Sequence, residues 1–239
     1  MKDSVFYEEL APKEFRERIA ECPVGYVPLG TIEWHNEHLP LGTDIIRGGA
    51  LFEIIAREVG GIVFPPLFLG PDREREKDGI TYYGMDVYET YLRCPPYPLT
   101  RFPGSCYHVS DELYQEIVRN VARQAARAGF RILFGIGHGP STSQFAKLSD
   151  EMYAECGIRL LNLRDGTGIS GDHAAKYETS DVMYLRPELV HMDRLSEDPD
   201  DFPKGVSGDD PRTSASASVA EAHVPVFIEH VRKVIEEYL

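Results

Sequence analysis

The sequence lacks the features of membrane proteins and of disulfide-bonded proteins. None of its apolar runs approaches the roughly 18 residues that a membrane-spanning helix needs. The amino terminus, MKDSVFYEELAPKEF, has no long apolar stretch of the kind that forms a signal peptide. The four cysteines, Cys22, Cys94, Cys106 and Cys156, form no CxxC pair, so we expect reduced and mostly buried thiols rather than a zinc ribbon. These absences predict a cytoplasmic protein.

Basic residues are scarce as well. The chain has 25 Lys and Arg residues against 39 Asp and Glu residues, which gives a formal net charge of −14. Such a surface repels phosphate groups, so neither nucleic acid nor an anionic membrane is an expected partner. Divalent cations bound to the protein could neutralise part of this negative charge.

The 239 residues, 42% of them apolar, fit a single domain over residues 1–239. Strands are predicted at 25–32, at the start of 61–70, at 131–139 and at 158–163. Helices are predicted at 12–22, 45–60, 111–129, 141–157, 172–185 and 219–238, with Asp44 and Ser110 as caps. Residues 70–109 are expected to be irregular, and residues 196–210 to form a solvated loop. The alternation of strands and helices predicts an α/β fold with a largely parallel sheet and helices on both faces.

The segment GTIEWHNEHLPLGTD, residues 30–44, is rich in side chains that bind metals. In an extended chain Glu33 and His35 point to the same side and Trp34 to the opposite one. Asp44 follows after a turn that contains proline and glycine. Glutamate, histidine and aspartate together suit Zn, Mn or Fe. A solvated loop that ends in a helix-capping Asp44 accounts for the same residues.

A second segment, GIGHG at 135–139, joins a predicted strand to a predicted helix. It allows two interpretations: His138 is a metal ligand, or the glycines cradle a phosphate of a nucleotide, whose ribose Asp165 would then hold. A buried histidine with a purely structural role is a third possibility. In parallel sheets the ligand site lies beyond the carboxyl ends of the strands. We therefore expect His138 and the 30–44 segment to form one site.

Two further groups carry less specific patterns. HNEH, residues 35–38, has its Glu37 in the wrong place for a zincin HExxH helix, so His38 is expected to pack or to support a ligand. Asp172, His173 and Glu178 form another cluster, in which His173 and Glu178 do not share one face of an ideal helix. They converge only if His173 lies in the turn before the helix.

Taken together, PLGTIEWHNEHLPLGTD, FPGS, GIGHG, DHAAKYETS and GVSGDDPRTSAS resemble the creatininase (creatinine amidohydrolase) family over residues 26–216, in that family's order. The resemblance implies a three-layer α/β/α sandwich with two divalent metal ions at the carboxyl edge of the sheet, and assembly into homo-hexamers. It implies that Glu33, Asp44 and His138 bind one ion. The other ion is held by His35 and by Asp44, which bridges the two.

The sequence departs from the family at two places that matter for function. Pro140 stands where creatininase has the glutamate that completes the second metal site, and Glu178 is our candidate replacement. Creatininase closes tryptophans over its flat substrate, whereas Trp34 is the one tryptophan here and Ile169 lies four residues before His173. Creatinine itself is therefore not the substrate that we expect.

The predicted activity is hydrolysis of a carbon–nitrogen bond in a linear or cyclic small-molecule amide, by water that the metal ions activate. His173 is the predicted proton donor to the leaving nitrogen, and Asp172 either orients His173 or caps a helix. Tyr82, Tyr83 and Arg101 are expected to serve surface packing rather than to line the pocket. Two alternatives remain: a non-catalytic ligand-binding member of the same fold, favoured by Pro140, and a nucleotide-binding protein.

Overall fold

The computed structural model describes residues 4–87 and 97–239. The strands in these ranges are β1 (Val24–Leu29), β2 (Ile62–Val63), β3 (Glu74–Lys77), β4 (Ile80–Tyr83), β5 (Ile132–Gly137) and β6 (Arg159–Asn162). The α-helices are α1 (Pro12–Glu21), α2 (Thr43–Val59), α3 (Asp111–Ala128), α4 (Gly139–Lys147), α5 (Ser149–Cys156), α6 (Lys176–Leu185), α7 (Pro211–Ser214) and α8 (Ala217–Tyr238). No helix in the described ranges is both long and apolar enough to cross a bilayer.

The central sheet has four strands in the order β2-β1-β5-β6, and every pair is parallel. Strands β1 and β5 lie in the middle and pair along their whole length, from Val24 with Ile132 to Leu29 with Gly137. All six residues of β1 are buried, as expected for a strand that is covered on both faces. The predicted parallel sheet is confirmed.

Helices cover both faces of this sheet. Successive strand residues point to opposite sides, so Tyr26 packs in one core and Val27 in the other. The first core contains side chains from α2 and α8, among them Phe52 and Phe227, and α6 packs against both of these helices. The second core contains side chains of α3, α4 and α5 together with partly buried residues of α1. The fold is therefore a three-layer α/β/α sandwich, as predicted.

Two local predictions were wrong, and the start of a third helix, which was predicted only loosely, lies later than residue 172. Asp44 is not the cap of α2 but lies in its first turn, because the helix already starts at Thr43 after Gly42. The helix predicted over 141–157 is two helices, which meet at Leu148, whose buried side chain packs in the core. The helix predicted from residue 172 begins at Lys176. Ser110, in contrast, does cap α3, since its hydroxyl accepts the N–H of Leu113.

The segment 70–109 is not irregular throughout. Strands β3 and β4 form an antiparallel hairpin whose turn residues, Asp78 and Gly79, have φ angles of 54° and 75°. Asp-Gly between two short strands is a strong signal for a type I′ turn, so this hairpin could have been predicted from the sequence. Tyr82 and Tyr83 lie on β4.

The cysteines follow the prediction only in part. Cys22, Cys106 and Cys156 are free thiols, but only Cys22 is buried, and Cys106 is exposed. Cys106 lies in an isolated bridge with Ile32 at the surface, where packing does not cover its side chain. Cys94 lies outside the described residues.

The end of β5 depends on a glycine. Gly137 has a φ of 142°, and a Cβ at this position would overlap the carbonyl oxygen of Leu29 in the adjacent strand. Gly139, on the other side of His138, has open space around its missing side chain. Position 139 therefore has room for a side chain, whereas position 137 does not.

We predict that Gly137→Ala lowers the free energy of unfolding by about 1–3 kcal/mol, because the backbone strain adds to the clash with Leu29. Gly139→Ala, in the first turn of α4, should stay within about 0.5 kcal/mol of the parent protein. Urea denaturation of the two metal-free variants measures both values. Equal stability of the two variants would contradict this account of the strand end.

Candidate metal centre

The carboxyl ends of β1 and β5 lie side by side, because Leu29 pairs with Gly137. The 30–44 segment leaves β1 at this edge, and His138 directly follows β5. Glu178 in the first turn of α6 is directed to the same place. The structure therefore brings these segments together at one edge of the sheet.

His35, Asp44 and Glu178 face one another without bonding. His35 Nε2 lies 3.4 Å from Glu178 Oε2 and 3.7 Å from Asp44 Oδ2. His35 Nδ1 donates to the carbonyl oxygen of Glu33 at 3.0 Å, which leaves the lone pair of Nε2 free. His35 Nε2 and Asp44 Oδ2 are buried and have no hydrogen-bond partner in the described structure.

Such separations suit a shared cation better than direct hydrogen bonds. Two ligands of a tetrahedral Zn²⁺, each about 2.0–2.1 Å from the ion, lie about 3.4 Å apart. The three side chains are 96% or more buried, and their ligand atoms all lie within 4.8 Å of one another. A buried carboxylate oxygen and a buried imidazole nitrogen without partners are costly unless an ion or a proton joins them.

Glu33 lies between two histidine rings. Its Oε1 accepts from His138 Nδ1 at 2.9 Å and lies 3.4 Å from His173 Nδ1. His138 Nδ1 is also 3.8 Å from Asp44 Oδ2, so Asp44 lies within reach of both His35 and His138. All five side chains predicted as metal ligands therefore converge.

Asp72 belongs to the same centre and was missed from the sequence. Its Oδ2 lies 3.6 Å from His138 Nε2, in a side chain that is 4% exposed, and has no hydrogen-bond partner in the described ranges. Its Oδ1 accepts the N–H of Arg73 at 2.7 Å, and the missing side chain of Gly84 leaves room for Oδ2. Glu33, Asp72 and His138 form a further group that could hold a metal ion. Asp72 was overlooked because it precedes the hairpin that the sequence analysis did not find.

The centre carries an excess of negative charge. Its carboxylates, in direct or shared contact, are Glu33, Asp44, Asp72, Asp172, Glu178 and Asp181. Its guanidinium groups are those of Arg47 and Arg164. When the histidines are neutral and all these carboxyl groups are ionised, the named carboxylates outnumber the two named guanidinium groups by four, an excess that divalent cations would offset.

The histidine pKa values reflect this charge. Burial by itself would lower the pKa of His138, but Glu33, Asp72 and Asp44 more than offset it and raise the pKa to about 10. Burial likewise opposes protonation of His173, whose pKa Glu33, Glu178 and Asp44 raise to about 10. Without metal ions, protons on these rings supply part of the positive charge that the carboxylates require.

Asp172 caps α6 and does not orient His173. Its Oδ2 accepts the N–H of Tyr177 at 2.6 Å and its Oδ1 accepts that of Glu178 at 3.0 Å. His173 instead donates from Nε2 to the carbonyl oxygen of Trp34 at 2.8 Å. His173 lies in the loop before α6, in a bridge with Ser207, which is how it and Glu178 can converge.

The remaining predicted positions lie outside the cluster. Residues 36–38 form a turn rather than a zincin helix, and His38 packs with its Nε2 3.0 Å from Thr179 Oγ1. Glu37 is exposed. Asp165, the ribose ligand of the nucleotide hypothesis, is exposed and accepts from Asn162. A phosphate bound near His138 would face the carboxylate of Glu33, which disfavours that hypothesis.

A cavity of about 770 Å³ opens over the centre. Glu33, Asp44, His138 and Glu178 line this cavity, and its other lining residues include Arg73, Met85, Ser143, Asn162, Arg164 and Tyr177. Tyr82, Tyr83 and Arg101 are not among the described lining residues, and Tyr83 instead stacks on His108 at 4.8 Å. The 196–210 loop is not purely a solvated excursion, because its buried Ser207 and also Asp209 line the cavity.

The chain matches a known protein family along most of its length. A family profile described as creatininase, creatinine amidohydrolase, matches residues 8–226. The chain belongs to the creatininase family. The creatinine amidohydrolase of Pseudomonas putida is 25% identical over 83% of this chain and 78% of its own length.

Two further relatives are named for different substrates. A mycofactocin precursor peptide peptidase of Mycobacterium ulcerans is 26% identical over 71% of this chain and 61% of its own length. The 3-dehydro-scyllo-inosose hydrolase of Thermotoga maritima is 24% identical over 79% of this chain and 58% of its own length. The family thus includes hydrolases that are named for chemically different substrates.

Solved structures confirm the fold. A creatinine amidohydrolase structure superposes with a TM-score of 0.72 at 22% identity, over 99% of both chains. A structure described as "Creatininase Mn" and one described as "Zn-Zn type" each give a TM-score of 0.71 at 23% identity, over 99% of both chains. The creatininase-like fold predicted from the sequence is therefore confirmed.

The capping role of Asp172 leads to a stability prediction. Asp172→Ala should lower the free energy of unfolding of the metal-free protein by about 1–2 kcal/mol, because two N–H groups at the start of α6 lose their acceptors. Asp172→Asn keeps one amide oxygen and should lose about half as much. Chemical denaturation measures the difference, and an unchanged stability of the alanine variant would disprove the capping role.

Proposed function

We propose that this protein is a metal-dependent hydrolase that cleaves the carbon–nitrogen bond of a linear or cyclic small-molecule amide. The observation that carries the proposal is the convergence of buried, unpartnered ligand atoms, His35 Nε2 and Asp44 Oδ2, beneath an open cavity. The family match supports the hydrolase class. Manganese and zinc are named for creatininase structures of the same fold.

The residues present fit two divalent ions, with Zn, Mn or Fe as candidates. Glu33, Asp44 and His138 are the proposed ligands of the first ion, and His35, Asp44 and Glu178 of the second. The separations of 3.4 and 3.7 Å around His35, the 3.8 Å between His138 and Asp44, and the excess of carboxylates support this assignment, whereas Glu33 and His138 lie at hydrogen-bond distance, 2.9 Å. His138 Nε2–H donates to the carbonyl oxygen of Pro71 at 3.1 Å, which keeps Nδ1 turned toward the centre, and Asp72 adds an acidic group 3.6 Å from the same nitrogen.

Bound ions of this kind supply an activated water and polarise the substrate carbonyl. The chain's own residues orient the ligands and the leaving group. His173 lines the cavity, and its Nε2–H bond to the carbonyl oxygen of Trp34 fixes the ring with Nδ1 toward the centre. We assign His173 the role of holding the proton that the leaving nitrogen receives.

The cavity gives some information on the substrate. Trp34, the one tryptophan of the chain, stacks on Phe102 at a centroid distance of 4.9 Å and is not among the described lining residues. No tryptophan in the described part of the cavity wall is therefore placed to cover a flat ring. For this reason creatinine is not the proposed substrate. The different substrates named for the relatives agree with a changed pocket on a shared fold.

The quaternary state and the cellular location are part of the proposal. We expect a homo-oligomer, with the hexamer of the resemblance as the candidate, acting in the cytoplasm without nucleic acid or membrane partners. The net charge of −14 supports the exclusion of nucleic acid. A non-catalytic ligand-binding member of the fold is the second candidate, favoured by Pro140 at the start of α4, which offers no ligand atom.

Metal content tests the centre directly. The purified protein should contain close to two divalent ions per chain, and Asp44→Asn should reduce the occupancy of both, because Asp44 is the shared ligand. Glu37→Gln, an exposed acid in the same segment, is the control and should retain both ions. Plasma mass spectrometry after metal-replete purification gives the counts. A wild-type protein without metal would eliminate the hydrolase proposal and leave the ligand-binding candidate.

His173→Asn tests the proton donor. The variant should keep both ions but lose about 10²–10⁴-fold in kcat on any amide that the wild type cleaves, because the leaving nitrogen lacks its proton. Kinetics and metal analysis on the same preparation separate the two roles. Loss of an ion together with activity would make His173 a metal ligand instead, in agreement with its grouping with Glu33 and His35.

A further inference from the structure

Arg47 is a buried arginine in the centre of this site, and none of the roles assigned above uses it. Its side chain is 4% exposed, one turn after Asp44 on α2. Its Nη2 lies 2.8 Å from Glu178 Oε1, 3.2 Å from Asp44 Oδ1 and 3.3 Å from the carbonyl oxygen of Gly137. Its Nη1 donates to Asp181 at 3.1 Å.

The contacts of Arg47 Nη2 join three elements, each of which supplies a proposed ligand. Asp44 lies on α2, Glu178 on α6, and Gly137 is the last residue of β5, directly before His138. Helix α2 approaches β5 closely at Gly48, where a Cβ would lie 3.3 Å from the carbonyl oxygen of Ile136. Arg47 therefore sits at the junction of these elements.

The two carboxylates divide their oxygens between Arg47 and the centre. Arg47 Nη2 donates to Asp44 Oδ1 and Glu178 Oε1. The second oxygens, Asp44 Oδ2 and Glu178 Oε2, face His35 Nε2. A carboxylate held at one oxygen by a guanidinium cannot rotate freely, so its second oxygen stays directed at the ion. Glu178 Oε2 is fixed further by the N–H of Ala174 at 2.8 Å.

We propose that Arg47 is the positioning residue of the second metal site, where it orients Asp44 and Glu178 toward the ion that they share with His35. The inference rests on the metal centre of the proposed function and deepens it. In this chain Glu178 takes the place of the donor that Pro140 cannot provide, and Arg47 is the residue that turns Glu178 inward. The first ion depends on Arg47 through one proposed ligand, the shared Asp44, whereas the second ion depends on it through both Asp44 and Glu178.

Arg47 also carries a positive charge close to the proposed ion. This charge repels the ion and therefore opposes its binding, whereas the orientation of the ligands favours it. If repulsion dominated, removal of the charge would tighten the second site. If orientation dominates, removal weakens it, and loss of such outer contacts to ligands typically costs about 10–100-fold in metal affinity. The sign of the change therefore separates positioning from simple charge competition.

The experiment titrates metal-free protein with Mn²⁺ and follows free Mn²⁺ by electron paramagnetic resonance. The variants are Arg47→Met, which keeps most of the length of the side chain without charge or donors, and Arg47→Lys, which keeps the charge but not the paired N–H donors of the guanidinium. Arg57→Met is the matched control: the same substitution, on the same helix, at a half-exposed residue that pairs with Glu53.

The expected result is a second Mn²⁺ equivalent that binds at least about tenfold more weakly in Arg47→Met, with the first equivalent weakened less and Arg47→Lys in between. Arg57→Met should match the wild type. An unchanged or tighter second equivalent in Arg47→Met overturns the positioning role. If Arg47→Met fails to fold, an unchanged or tighter second equivalent in Arg47→Lys overturns it instead.

The wild-type titration separates this inference from the proposed function. If the wild type binds two ions and the Arg47 variants bind them with wild-type constants, only the role of Arg47 fails. If the wild type itself binds no Mn²⁺, Zn²⁺ or Fe²⁺, the metal centre fails, and the inference fails with it.

Discussion

The structure depends on one constraint, the burial of several carboxylates at the adjoining carboxyl ends of β1 and β5. A buried carboxylate without a partner costs several kcal/mol, so each segment that reaches this edge brings a histidine, an arginine or a capped backbone N–H. The register that pairs Leu29 with Gly137 places the residues after the two strands side by side, and Glu33 and His138 meet there at 2.9 Å. Gly137, at the point where the backbone passes Leu29, makes that register possible. The pairing of the strands, more than the conformation of any loop, therefore determines where the site lies.

Much of this arrangement could be predicted from the sequence, because it follows from rules that act over short distances. Apolar runs that alternate with amphipathic segments predict a covered parallel sheet, and ligands at strand ends follow from its topology. The alternation of Glu33 and His35 with Trp34 holds in the structure: the two ligands turn inward, and Trp34 stacks on Phe102. His138 could be assigned to the same edge because it directly follows the second strand.

The parts that escaped prediction depend on contacts between distant segments. Asp72 becomes part of the site only because the β3–β4 hairpin and Gly84 fold around it, and its one local signal, the Asp-Gly turn, lies six residues further along the chain. Asp172 caps α6 from outside the helix, so the helix begins four residues later than the periodicity suggests. Arg47 interrupts the apolar face of IIRGGALF, a signal visible in the sequence, but its partners come from α6 and β5, which no local pattern connects to α2.

Pro140 offers no ligand atom, so the proposed centre depends on parts of the fold other than the start of α4. The first group of proposed ligands includes Glu33 and His138, which follow the paired ends of β1 and β5. The second group, His35, Asp44 and Glu178, draws two of its members from α2 and α6, which pack against each other on one face of the sheet. Glu178 reaches the centre only because α6 starts where Asp172 accepts its N–H and where His173 pairs with Ser207. A small shift of α6 therefore moves a ligand of the second group but none of the first. We expect the two halves of the centre to differ in their affinity for an ion.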